Sequence, residues 1–179
     1  CFDVGRIENV HFWPFWCGDQ PVHTFMETQG EAFIFGRTDW EFVSGCFCIW
    51  YHVGFRFIAG RQGPGNVLLT QSGSDIGPYA VIVDGAQAHA GHSFENRQLF
   101  GGLTINEKNT GPIRFTGCGL FGSIDGNSGV SHGVLKGSGQ VSFSNCHFIT
   151  LEPANTQNRM FRVEGGGVTF NGCDFMDTG

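Results

Sequence analysis

GGGVTFNGCDFMD, Gly165 to Asp177, repeats a phrase that the chain has already written twice. Ser138 to Thr150 reads SGQVSFSNCHFIT, and Thr110 to Gly122 reads TGPIRFTGCGLFG. In each, an apolar residue (Ile113, Val141, Val168) is followed two places on by Phe (Phe115, Phe143, Phe170). Gly or Asn, Cys, one variable residue and Leu or Phe come after it. Alternation of period two in Val and Phe marks a strand with one buried face. The phase slips at the Gly or Asn, since Phe143 and Cys146 are three apart. A residue tolerant of positive φ where the inward phase resets is a tight bend between two short strands. The Cys columns lie 28 and then 27 residues apart (146 − 118, 173 − 146), and self-similarity at such a period predicts a solenoid. Two strands around a bend in every unit make it an all-β, right-handed parallel β-helix of about six coils.

The bulk composition agrees. A chain of 179 residues with 40% apolar content can bury one core, so residues 1–179 read as a single β-helix domain. The 29 glycines suit a fold with several corners per coil, and the 19 phenylalanines suit one that stacks like on like. A net charge of −6 with no run of Lys and Arg argues against a nucleic-acid partner. No apolar run is long enough for a membrane span. The chain opens at Cys1, already inside a coil, which reads as a fragment of a longer chain whose open ends are covered by flanking segments or by an oligomer.

Seven Cys at these spacings match no zinc pattern. Cys118, Cys146 and Cys173 read as stacked interior thiols, while Cys1 and Cys17 are left open between free thiols and a disulfide.

Laid along the chain, the repeated phrase fits RIENVHF (Arg6 to Phe12) with Asn9 at the bend, and VSGCFC (Val43 to Cys48) with Gly45 at the bend. It fits VDGAQA (Val83 to Ala88) with Gly85 at the bend. The interior column is then Val10, Cys46, Ala86, Cys118, Cys146 and Cys173, and the coils shorten toward the C-terminus. Ala59 to Pro78 reads as a surface excursion flanking one strand, Asn66 to Thr70. His89 and His92 fall in a solvated loop, and His11 and His147 face outward. Leu103 to Ile105, Gly133 to Leu135 and Met160 to Val163 are entering strands, Asp125 to Gly129 is a turn, and no helix exceeds a turn or two.

Function is expected in the loops of the long early coils. Trp13, Trp16, Trp40 and Trp50 all fall in the first 50 positions. Aromatic residues so grouped either stack on sugar rings or pack between loops over the barrel. Asp39 and Glu41 with Arg37 are the candidate catalytic set: two carboxyls could serve as acid and base in glycosidic hydrolysis, or a base could act beside a neutralised uronate in an eliminase. The plainer reading of this trio is a turn held by a surface ion pair.

Phrases such as GRIENVHF and VSFSNCHF, and the block CFDVGRIENVHFWPFW with GEAFIFGRTDW, resemble the right-handed β-helix of the pectate-lyase and polygalacturonase superfamily. Family members are mostly secreted polysaccharide lyases and hydrolases, with tailspikes and adhesins among their relatives. The resemblance implies a secreted or cell-surface protein and a polysaccharide partner in a groove on the entering strands. That groove is bordered by Trp13 to Trp16 and by Trp50, Tyr51 and His52, with Arg37, Asp39 and Trp40 at the end of an adjacent strand. The paired Asp of polygalacturonases and the calcium-carboxylate cluster of pectate lyases are missing from the sequence. No cofactor is called for, calcium being the one ion left open. The competing expectation is a non-catalytic shaft or adhesin, in which the coils only provide length.

Overall fold

The computed structural model describes residues 3–14, 17–122, 130–150 and 159–177. The first coil is β1 (Arg6–Glu8), β2 (His11–Phe12) and, after helix α1 (Gln20–Gln29), β3 (Glu31–Phe35). The second is β4 (Glu41–Ser44), β5 (Phe47–Ile49) and β6 (Val53–Phe57), and the third β7 (Val67–Thr70), β8 (Gly73–Asp75) and β9 (Tyr79–Val83). The fourth is β10 (His92–Glu95), β11 (Gln98–Leu99) and β12 (Gly102–Ile105), and the fifth β13 (Ile113–Thr116), β14 (Gly119–Leu120) and β15 (Val130–Leu135). The sixth is β16 (Val141–Ser144), β17 (His147–Thr150) and β18 (Arg159–Val163), after which β19 (Val168–Asn171) and β20 (Asp174–Asp177) begin another.

The first strands of all coils form one sheet, the second strands another and the third strands a third, giving sheets of 7, 7 and 6 strands. All named pairings are parallel: Phe94 lies opposite Phe115, Phe115 opposite Phe143 and Phe143 opposite Phe170. This is the parallel β-helix that the repeats predict. Each inner strand is paired with the coil before it and the coil after it, and the edge strands of the first and last rungs on one side only.

The bend between the first and second sheets is one column of left-handed residues. Asn9, Gly45, Gln71, Asn96, Gly117, Asn145 and Gly172 have φ of 56°, 60°, 49°, 50°, 62°, 52° and 61°. Asn and Gly are the residues that take this conformation most cheaply. They also fit each other: a Cβ on Gly45, Gly117 or Gly172 would lie 2.6, 2.8 or 2.6 Å from the amide oxygen of Asn9, Asn96 or Asn145 in the preceding coil.

Inside, like stacks on like. Phe94, Phe115, Phe143 and Phe170 are piled with ring centroids 4.6, 4.9 and 5.1 Å apart and nearly parallel planes. Phe33 on Phe55, Phe35 on Phe57 and Phe148 on Phe175 repeat this in the other sheets. The spacing is that of the strands themselves, about 4.8 Å, so the register of the backbone brings the rings into contact. Cys46, Cys118 and Cys146 are buried free thiols on the same interior column, and Cys173 is half-buried beside the last rung. Cys17 is free as well, while Cys1 lies outside the described residues.

Four expectations are corrected. The interior column runs Val10, Cys46, Ser72, Arg97, Cys118, Cys146, Cys173, each following its bend residue, so Ala86 is not a member. Val83 instead ends β9 in the third sheet. Ala59 to Pro78 is not an excursion, because β7 and β8 make a full rung within it, with Gln71 at the bend. From Gly45 onward the bends are therefore 26, 25, 21, 28 and 27 residues apart, and the coils do not shorten progressively. His92 is not in a loop: it is buried at the start of β10, whereas His89 is exposed. The entering strands and the outward placement of His11 and His147 are as expected. The turn at 125–129 lies outside the described residues.

Helix α1 was not expected. Asp19 stands at its N-cap position, a Pro occupies the first turn, and Gly30 ends it. Only Met26 is buried. The helix is anchored by its last carbonyls, with His52 N–H donating to Met26 O at 2.7 Å and Val53 N–H donating to Gly30 O at 3.0 Å.

Candidate functional site

The corner from β3 to β4 carries the proposed catalytic residues. Arg37 grips Asp39 through two parallel bonds of 2.8 and 3.0 Å and donates to Pro64 O in the next coil at 3.2 Å. The Gln87 amide, one coil further, donates to Asp39 Oδ1 and to Thr38 O. Glu41 is buried and accepts from Thr38 Oγ1 at 3.0 Å. Three successive corners are thus laced together through these side chains. Trp40 stands beside them, largely exposed and held at φ 57°.

The aromatic candidates sit at a different corner. Trp13 follows β2, and Trp50, Tyr51 and His52 join β5 to β6, so both groups lie where the second sheet turns into the third. Trp50 meets the edge of His23 from α1 at 5.6 Å, and His52 meets Tyr79 at 5.3 Å. The third sheet, about 16 Å across for a five-residue strand, separates this corner from Arg37, Asp39, Glu41 and Trp40. Its outer face carries Arg56, which pairs with Glu31 at 3.1 Å and Asp84 at 2.8 Å. Trp16 lies outside the described residues.

A groove that the sequence did not announce crosses the outer face of the second sheet. Its volume is about 420 Å³, and Phe47, Gln71, Gly73, Asp75, Asn96, Gln98 and Phe100 line it over buried Ser72 and Ser74. Successive strands place Phe47, Gly73 and Gln98 in one outward column. Gly73 is the floor: a Cβ there would lie 3.1 Å from Gln98 O and 3.5 Å from the Phe47 ring. Trp13 touches Phe47 edge-on at 6.0 Å, and Phe100 is backed by Phe121, stacked at 4.0 Å within 4° of parallel. Two flat apolar surfaces therefore flank a gap rimmed by three amides and a single carboxylate.

This arrangement can hold a flat, many-hydroxyl ligand by C–H contact and amide hydrogen bonds. Glycosidic hydrolysis needs two carboxyls, and Asp75 alone lines this groove. Among the described residues no group of three His, Cys, Asp or Glu side chains could hold a metal ion. Nor is any helix among them long and apolar enough to cross a membrane. The sequence reading missed the groove because its floor lies in the segment taken for an excursion. The alternation Leu68, Thr70 outward and Leu69 inward, ended by Gln71 in place of Asn or Gly, was the available signal. Set against known proteins, the chain matches no family model, no curated protein and no solved structure, and the three-sheet parallel β-helix is the level at which it is classified.

Proposed function

We propose that the chain is a carbohydrate-binding β-helix module that holds an extended, neutral polysaccharide along the outer face of its second sheet. The observation that carries this reading is the groove between Phe47 and Phe100 over Gly73, with Gln71, Asn96 and Gln98 in its lining. Flat rings with amides are the polar–apolar mixture that sugar rings demand, and a sheet that continues over seven strands suits a polymer. A chain with net charge −6 and a carboxylate in the groove repels polyuronates. The sequence resemblance to the pectate-lyase and polygalacturonase superfamily supports a glycan ligand and, with it, a secreted or cell-surface location. Binding is favoured over cleavage because Asp39 and Glu41, the carboxylates a cleaving enzyme would use with Arg37, are engaged by Arg37, Gln87 and Thr38.

Affinity electrophoresis in gels cast with neutral and with acidic polysaccharides tests the proposal. Retardation is expected in at least one neutral gel, and Phe47→Ala or Phe100→Ala should weaken it by about tenfold or more, the scale of losing one buried aromatic contact. Equal mobility in every gel overturns it, and the appearance of unsaturated or reducing ends would turn binding into cleavage. The second reading, a structural shaft or adhesin, is favoured by the exposed Phe170, Phe175 and Met176 on the last rung, which suit stacking against further coils or another subunit.

A further inference from the structure

Within the fourth coil Arg97 takes the place on the interior column that Cys46 and Cys118 take in theirs. Its side chain is among the largest that are fully buried. The guanidinium carbon lies 4.4 Å from the centre of the Phe55 ring and 5.4 Å from that of Phe94, so the cation is pressed between the third and first sheets. Nε donates to Ser72 O at 2.9 Å, while Nη1 and Nη2 are buried with no hydrogen-bond partner.

A guanidinium does not give up its proton to escape such a site. Stacking on two rings offsets part of the lost hydration, but aromatic faces offer nothing to N–H groups that point outward in the guanidinium plane. An unpaired buried charge is among the costliest arrangements a core can hold. None of the ion pairs among the described residues includes Arg97. The nearby thiols do not supply the missing charge. Cys46 donates to Ser44 O at 3.4 Å and Cys48 to Gly73 O at 3.9 Å. Cys118 lies 3.4 and 3.5 Å from the carbonyls of Phe94 and Thr116. These are places for S–H donors, and carbonyl oxygens repel a thiolate. Burial pushes the Cys48 thiol up to about 12. Cys118 is drawn down, first by its hydrogen bond with Cys146 and less by Arg97, while burial pushes it the other way.

We propose that a small monovalent anion with the size and charge of chloride binds inside the β-helix at the fourth coil, held by Nη1 and Nη2 of Arg97. It completes the guanidinium's hydrogen bonds and cancels its charge, so the ion is part of the core. The ion lies inside the barrel wall and the groove outside it, and chloride titration and gel retardation read the two separately.

Protein refolded in sodium gluconate and titrated with sodium chloride at constant ionic strength tests this. The melting temperature is expected to rise by about 4 °C for each tenfold increase in chloride beyond the dissociation constant, the linkage expected for one site on a domain of this size. Arg97→Met keeps the apolar contact with Phe55 and Phe94, and its melting temperature should not respond to chloride. Crystals grown in sodium bromide should show an anomalous peak within hydrogen-bonding reach of Nη1 and Nη2. Identical melting of the native protein in chloride and gluconate overturns the proposal, as does a bromide map empty at that position. Should Arg97→Met fail to fold, the native titration and the bromide map decide between an ion and water.

Discussion

Gly117 shows how much one atom costs at a bend. With φ at 62° and the Asn96 amide oxygen 2.8 Å from where a Cβ would sit, Gly117→Ala meets both backbone strain and a collision. A loss of about 1–3 kcal/mol in chemical denaturation is expected. Asn96→Gly should recover part of it in the double mutant, and full additivity would show that the two bends do not touch. His92 supplies a pH dependence of known sign. Its Nδ1 accepts from Val67 N–H at 3.1 Å and its Nε2 donates to Gly85 O at 3.3 Å, which is the neutral ring. Burial lowers its pKa from 6.5 to about 4. Above pH 6.5 both folded and unfolded chains carry it neutral, and its contribution is complete. Between 6.5 and about 4 the unfolded chain takes up a proton that the folded chain refuses, so stability falls as pH falls, by about 3 kcal/mol in all. His92→Asn retains an acceptor for Val67 N–H and should remove most of that slope between pH 7 and 4. Burial lowers His132 as well, which leaves a residual slope.

At the scale of elements, the corner after β3 separates a brace from a catalyst. Asp39 is bound by Arg37 and Gln87 and partly open to solvent. Asp39→Asn is expected to cost about 1 kcal/mol, as a partly exposed pair does, and to leave glycan retention unchanged. A loss of retention or of any glycan turnover without a shift in the denaturation midpoint would make Asp39 functional instead. The same scale shows what could be read beforehand. Bends spelled Asn or Gly followed by Cys were legible, because residue type, backbone conformation and burial all agree there. Gln71–Ser72 and Asn96–Arg97 were not, since their column residues are polar and the eye follows thiols. The fold survived that error because β-helix coils are interchangeable, but the groove did not, because its floor and one rim belong to the misread coil. Helix α1 escaped because only Met26 of its ten residues faces the core, too little to write a helical period. The third sheet, formed by the entering strands, holds the aromatic candidates at one edge and Arg37, Asp39 and Trp40 at the other, and the distance across it was beyond a one-dimensional reading.

For the whole molecule, the backbone pairing joins each coil only to its neighbours, with Gln87 to Asp39 and Arg97 to Phe55 reaching one coil further, so stability is close to a sum along the axis and opening starts at the ends. The last described rung is the most open one. Val163, Phe170, Phe175 and Met176 are exposed there, while the matching Phe143 and Phe148 one coil earlier are fully buried. Hydrogen exchange should therefore be fastest in β18–β20 and slowest in the middle coils around β10–β13, and uniform exchange along the rod would mean that the coils open as one unit.

The thiols turn this gradient into something countable. Cys173 lies half-buried at the last rung and Cys17 half-buried ahead of α1, whereas Cys46, Cys48, Cys118 and Cys146 are sealed inside. A thiol-specific reagent in mild denaturant should take the outer two at once, then Cys146, then Cys118, so that added mass records how far the rod has unwound. The chain carries, in its own sulfur atoms, the graduations of a ruler for its unfolding.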